Sequence, residues 1–403
     1  MLKNNLIIIL VLIFGLASCT GGNYIVQDKI QSDNAIVDIQ IPNISSINSW
    51  DNNYPEHLYV KNFNNKYLKK IKIRGKTITS PIVADNKIYI LTNKNKIISY
   101  DLTNLQCLWE VSLGSKINEN AKLSYKLGKI YINTGYRELL VLDAVTGQRV
   151  WYKTFNDVLF YRPLILDNGN IVVQTMGDSL YLIDFNSGKF LWHYITEPEM
   201  LVIQSDFSPI LYKNNIISGF SSGELVSIDL STGNVLWQTT HLEKYDTISD
   251  LSILNVISKP IIDNNYGYFS ANNKIFKIDL DTGKFIWQKQ VLDIQNLTKI
   301  GNILIATTSN KQIISLDTAT GNIIWLNNLV INKKDRIIGF LLPLFINNNL
   351  FVTTVNGDCY KLNIISGEII ETFNIKSKIV ATFITNDELY LVKQSELLRF
   401  RSK

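Results

Sequence analysis

The chain has 403 residues, with 40 Lys and Arg against 35 Asp and Glu, for a formal charge of +5. The extra cations are scattered through Asn- and Ile-rich sequence and form no stripe, which argues against a nucleic-acid surface. Such a length ordinarily means two or more domains, with a closed ring of repeats as the exception, because each repeat packs only on its neighbours.

Residues 1–18 read as a secretory signal peptide. Lys3 supplies the positive start, 6–16 form an apolar run interrupted only by Gly15, and Ala17 and Ser18 are small. The apolar run is too short to favour a spanning helix. It ends in Leu16-Ala17-Ser18-Cys19, which resembles a bacterial lipobox. The resemblance implies cleavage before Cys19 and acyl chains, palmitate among them, on its sulfur and new amine. Two or more acyl chains anchor stably where one does not. Thr20, rather than Asp, follows the cysteine, and by the same resemblance this implies the outer membrane, with the protein facing the periplasm. Residues 19–62 are rich in Asn and Ser, lack periodicity, and read as a lipidated cysteine and flexible tether. Trp50, within this stretch, is expected to pack on the rim of the folded part.

Residues 63–403 are organised by a recurring nine-residue phrase. Its clearest copy is Asp279-Leu280-Asp281-Thr282-Gly283-Lys284-Phe285-Ile286-Trp287, and the frame returns at 143–151, 184–192, 229–237 and 317–325. Weaker copies lie at 101–109, where Asn104-Leu105 replaces Thr-Gly, and at 363–371, which keeps Ser366-Gly367 but loses both ends. A spacing of 38 to 50 residues between successive copies indicates a solenoid, array or propeller. Gly147, Gly188, Gly233, Gly283, Gly321 and Gly367 occupy the turn position that needs a positive φ. The leading Asp is placed to accept amide hydrogen bonds of that turn. Trp109, Trp151, Trp192, Trp237, Trp287 and Trp325 are six of the seven Trp residues and share one frame position, so core packing explains them.

Between the phrases, short apolar runs alternate with Asn- and Gly-containing turns, giving three further strands per repeat. Eight such units open near Pro81, Ala121, Pro163, Pro209, Pro260, Leu297, Pro343 and Ala381. The eighth ends at Arg401 with no residues left for a fourth strand, whereas residues 67–73 form a strand with no sheet of its own. Joining the two removes both exposed edges. The expected fold is all-β: an eight-bladed propeller of four-stranded antiparallel blades, closed by pairing the N-terminal strand with the C-terminal blade.

The phrase resembles the signature of the pyrroloquinoline-quinone (PQQ) type repeats. A lipobox followed by eight blades is similar to the BamB family of outer-membrane β-barrel assembly (BAM) lipoproteins. That resemblance implies a non-catalytic scaffold that binds the periplasmic POTRA region of a BamA-type protein and assists insertion of outer-membrane proteins. It also implies contact loops. Alignment on Pro209 places Leu201, Ile203 and Gln204 in one, and alignment on Pro260 places Asn255 and Ile257 in the next. The apolar pair Leu201 and Ile203 keeps the family's character, while the family's Arg becomes Gln204 and its two Asp become Asn255 and Ile257. A quinone-dependent oxidoreductase and a surface propeller binding a sugar or peptide are the alternative functions.

Groups with proton or metal chemistry are few. His57, His193 and His241 show no metal-ligand spacing, and Cys107 and Cys359 fall in different blades, where free buried thiols are expected rather than a disulfide. No Gly-rich loop leads from a strand into a helix, so a phosphate cradle is missing. Neither an enzyme, a cofactor nor a metal site is expected, and the repeated Asp residues read as structural.

Overall fold

In the computed structural model, residues 39, 59–60, 67–196, 207–240, 259–271, 273–329, 339–346, 348–385 and 388–401 are described. Every named element among them is a β-strand. The strands form eight sheets: blade 1 (82–112), blade 2 (122–154), blade 3 (164–195), blade 4 (210–240), blade 5 (261–290), blade 6 (294–328), blade 7 (344–374) and blade 8 (379–401 with 67–72). The fold is the eight-bladed propeller expected from the repeat. Its closing strand is Tyr67–Lys72, antiparallel to Glu396–Arg401 with Lys70 opposite Leu398.

Strand composition follows position in the blade. The middle strands are covered on both faces by neighbouring blades, so they are continuously apolar: in Lys87–Thr92, Ile88, Tyr89, Ile90 and Leu91 are all fully buried. Blades diverge toward the rim, and the outermost strands alternate instead, as in Phe285–Gln290. Apolar clusters straddle the junctions. Tyr89 and Leu91 meet Leu140 and Leu142 between blades 1 and 2. Phe383 and Tyr390 of blade 8 join Ile88 and Ile98 of blade 1.

The two ends of the nine-residue phrase meet across those junctions. The Trp closing one blade's phrase lies on the Gly of the next: Trp109 on Gly147, Trp151 on Gly188, Trp192 on Gly233, Trp237 on Gly283, Trp287 on Gly321 and Trp325 on Gly367. A methyl group on Gly283 would sit 2.7 Å from the Trp237 ring, and one on Gly321 would sit 2.6 Å from Trp287. Glycine is therefore required by a φ of +65 to +75° at all six positions, and at all but Gly188 by the indole above it as well. Four of the indoles also donate Nε1–H to the carbonyl of the phrase's second residue in the next blade. These bonds are Trp192 to Leu230 at 2.8 Å, Trp237 to Leu280 at 2.9 Å, Trp287 to Thr318 at 3.1 Å and Trp325 to Ile364 at 2.9 Å. At the first junction the equivalent carbonyl, Ala144, accepts instead from the Tyr89 hydroxyl at 3.3 Å, and Trp109 Nε1 has no partner. Only Trp325, 6% exposed, is buried; the other five are half-buried because they sit where the blades splay.

The closing blade lacks this interlock and uses other means. Its outer strand, Tyr67–Lys72, brings no Trp to the phrase of blade 1. There Leu105 occupies the glycine position at φ 56° and fills the space with its side chain, 3% exposed. Arg399 binds Glu388 through two bonds, 2.6 and 2.7 Å long, and also donates to the carbonyl of Thr103 in blade 1. The Tyr390 hydroxyl adds a 2.9 Å bond to Glu388.

Two described stretches lie N-terminal to residue 63, where the propeller is expected to begin. Tyr59–Val60 pair in parallel with Phe345 and Ile346 of the innermost strand of blade 7. Ile39 packs, beside Ile324, against the cluster between blades 6 and 7. An innermost strand has one unpaired edge facing the axis, and its free N–H and C=O groups favour a further strand there.

The interlock predicts a specific coupling. Trp325→Ala should cost about 3–5 kcal/mol, the range for a buried aromatic truncated to Ala. Gly367→Ala should cost about 2–4 kcal/mol in the parent, from backbone strain plus overlap with the indole, and about 1–2 kcal/mol in the Trp325→Ala background, where strain alone remains. Denaturant unfolding of the four proteins measures this difference, and strict additivity would remove the interlock from the account.

Candidate functional site: the linker face of the ring

Strand polarity divides the ring into two faces. The hairpin between the first and second strands of each blade and the nine-residue phrase lie on one. The hairpin between the second and third strands and the linker to the next blade lie on the other.

On the phrase face the repeated acids are used locally. Asp229 Oδ1 accepts from the amides of Ser231 (3.1 Å) and Thr232 (2.8 Å) and from the hydroxyls of both residues, at 2.5 and 2.9 Å. Asp143, Asp279 and Asp317 repeat the pattern with Thr146, Thr282 and Thr320. Asn363 performs the same capping with a neutral amide, accepting from Ile365 at 2.8 Å and Ser366 at 3.1 Å. Donors converging on the charged form hold the Asp143 and Asp184 carboxyls below their ordinary 3.8, and Asp229 is lowered to about 2, chiefly by the Ser231 hydroxyl. An oxygen taking up this many protein donors is occupied as a cap, and among the described residues no group of three or more His, Cys, Asp or Glu could hold a metal ion.

The thiols and the one described imidazole are dispersed. Cys107 is exposed on the outer strand of blade 1, contrary to the expectation that both thiols are buried, because that strand is a rim strand with one face in solvent. Cys359 is buried in blade 7, and removal from water pushes its thiol up to about 12. His193 lies on the rim strand Phe190–Ile195, 6.2 Å from the Tyr181 ring.

The linker face carries the length variation. Residues 291–293 and 375–378 suffice to join blades 5 to 6 and 7 to 8, but 196–209, 241–260 and 329–343 join blades 3 to 4, 4 to 5 and 6 to 7. Leu201, Ile203 and Gln204 belong to the first long linker and Asn255 and Ile257 to the second. These five residues lie outside the described residues, as do Cys19, Trp50, His57 and His241. What is described on this face is the mouth of the axial channel. It is a cavity of about 270 Å³ lined by the opening residues of all eight innermost strands, among them Ser80, Lys122, Arg162, Ser208, Lys259, Asn296, Leu342 and Thr382. Sequence reasoning did not single out these positions. The signal available was the blade-opening Pro at 81, 163, 209, 260 and 343, beside which most of them stand.

Comparison with known proteins bears on this arrangement. A family profile described as outer membrane protein assembly factor BamB matches residues 106–327. An uncharacterized protein of Rickettsia conorii is 28% identical over 305 residues, covering 72% of this chain and 74% of the relative. The outer membrane protein assembly factor BamB of Nitrosomonas eutropha is 24% identical over 185 residues, covering 46% of this chain and 44% of its own. The crystal structure of BamB from Moraxella catarrhalis superposes with a TM-score of 0.69 at 18% identity, covering 83% of this chain and 99% of that one, a likeness of fold.

The acid caps generate a pH prediction. A carboxyl whose folded pKa is depressed stabilises the native state above its unfolded pKa and loses that contribution as pH falls toward the folded value. Stability should therefore decline as pH is lowered from about 4 toward 2. Asp229→Asn, which copies the natural Asn363 cap, should fold and show a shallower decline over that window. Melting temperatures of the two proteins at matched pH test this, and parallel curves would exclude Asp229 as a contributor.

Proposed function

Because the chain belongs to the BamB family of outer-membrane protein assembly factors, we propose that it is a non-catalytic scaffold lipoprotein of the BAM complex. In this reading Cys19 carries the lipid, the protein sits at the outer membrane facing the periplasm, and the linker face binds the POTRA domains of a BamA-type protein. One observation carries the proposal. The ring is regular on its phrase face, whereas the long linkers 196–209, 241–260 and 329–343 all belong to the opposite face. Insertions confined to one face of a repeat ring are the usual form of a binding surface. The phrase Asp residues, the groups most open to a catalytic reading, are engaged by their own turns.

Anchoring and binding are tested separately. Cys19→Ser should release the protein from the membrane fraction and abolish incorporation of labelled palmitate; unchanged fractionation defeats the anchor. Leu201→Asp combined with Ile203→Asp should weaken binding to purified POTRA domains by at least about 100-fold, the scale of losing two apolar anchors at an interface. Gln204→Ala should change it by no more than about twofold, as a neutral rim substitution does. Circular dichroism establishes that the variants fold. Parent protein without affinity for the POTRA domains would refute the scaffold function, while a folded double variant with parental affinity would refute only these two residues.

A further inference from the structure

The rim of blade 6 is covered where the other rims are bare. In the nine-residue phrase the eighth residue is an exposed aliphatic in six blades: Leu108, Val150, Leu191, Leu236, Ile286 and Ile370 are 48–53% exposed. In blade 6 that residue, Ile324, is half-buried, and so is Leu326. Ile323 is fully buried, whereas Phe190, Val235 and Ile369 at the same frame position are 39–46% exposed. Strand Ile323–Asn328 has the length, register and bulge of Phe285–Gln290 in blade 5, so the cover comes from outside the blade. A long following linker does not provide it by itself, because the rims of blades 3 and 4 precede long linkers and stay exposed. Ile39 packs against the apolar cluster of this junction, as Ile324 does. It is the middle of the alternating run Val37-Asp38-Ile39-Gln40-Ile41, within residues 19–62 that otherwise lack periodicity. Alternation of this kind gives an extended segment one apolar side.

We propose that the rim of blade 6 is the docking site for the chain's own N-terminal segment, with Val37, Ile39 and Ile41 set against Ile323, Ile324 and Leu326. The rim strand here has no charged residue, so an aliphatic segment covers it without desolvating a charge. A second fastening lies at the axis. Tyr59–Val60 run parallel to the innermost strand of blade 7, so the chain before Tyr59 comes to the axis from the linker face. Two attachments give the tether a defined course on the ring. The consequence at the membrane rests on the proposed lipid at Cys19. Only 20 residues separate Cys19 from Ile39, against 48 from Cys19 to Tyr67. At about 3.4 Å per extended residue, docking shortens the reach from about 160 Å to about 70 Å. The ring is thereby hung from its blade 6 side.

The experiment places the photoreactive residue benzoylphenylalanine at position 39 of the full-length chain, purified in a neutral detergent. Illumination should join position 39 to residues 323–326 of the same chain, as mapped by mass spectrometry, and Ile324→Asp should abolish that product. Hydroxyl-radical labelling of the parent should be lower at Ile324 than at Ile286 and Ile370. In Ile39→Asp it should rise to equal them, with the melting transition still cooperative. A cross-link between two chains would assign the rim to a second copy, and one to any other part of the ring would place the segment elsewhere; either overturns the proposal. Protection of Ile324 that persists in folded Ile39→Asp also overturns it, in favour of the linker between blades 6 and 7 as the cover. If Ile39→Asp does not fold, the cross-link decides alone. The cross-link is repeated in Cys19→Ser, where docking should be unchanged, so that failure of the anchor and failure of docking are told apart.

Discussion

An indole resting on a glycine is the contact on which the ring depends. Blades 1 to 6 each end their phrase with a Trp that meets the turn Gly of the next blade, and the absence of a Cβ on the second lets the first lie against backbone. The same indole reaches the adjoining carbonyl with Nε1–H in four junctions, which fixes its tilt as well as its distance. Sheets packed face to face can otherwise slide, since apolar contact is not directional. A hydrogen bond and a steric socket at the rim give each pair of blades a single register. The interlock is thus a device for setting the angle between blades, repeated six times.

Where the chain closes, the requirement is different. The closing blade is assembled from two chain ends, and its rim strand has the composition Tyr-Leu-Lys-Lys-Ile-Lys, with no Trp to set against the phrase of blade 1. The glycine that would receive a ring is accordingly replaced by Leu105, which accepts a left-handed backbone conformation and fills the same space from the other side. The pair Glu388 and Arg399, with Tyr390, then supplies the directional contact that the indole supplies elsewhere. Removing either partner of such a half-buried pair costs more than the pair itself contributes, because the remaining charge is left in a poorly solvated place. At this junction the rim strand without a Trp and the phrase without a Gly therefore face each other.

The division into faces connects this framework to function. Turns on the phrase face are held by side-chain caps, Asp in blades 1 to 6 and Asn363 in blade 7, and cannot lengthen without losing them. Linkers on the other face join a rim strand to the next axial strand and tolerate insertion. Variation is concentrated there, around the mouth of the channel. A protein built this way can change its partners while leaving the blade-to-blade contacts untouched.

The sequence by itself determined the repeat, the number of blades and the closing strand, because each rests on local rules. A Gly is read as a turn, an Asp as its cap, and an apolar run as a buried strand whatever the blade's surroundings. The strand at 67–72 was legible by elimination, since a four-stranded unit lacked one member. The pairing of Trp325 with Gly367 was not legible, although both residues stood out, because a fixed frame position does not say which neighbour a side chain faces. The convergence of Lys122, Arg162 and Lys259 was likewise hidden. These residues are 40 and 97 positions apart in the chain, and only closure of the ring around an axis brings eight strand openings to one place. Tertiary structure decided what depends on that closure, and the sequence decided what each blade settles within itself.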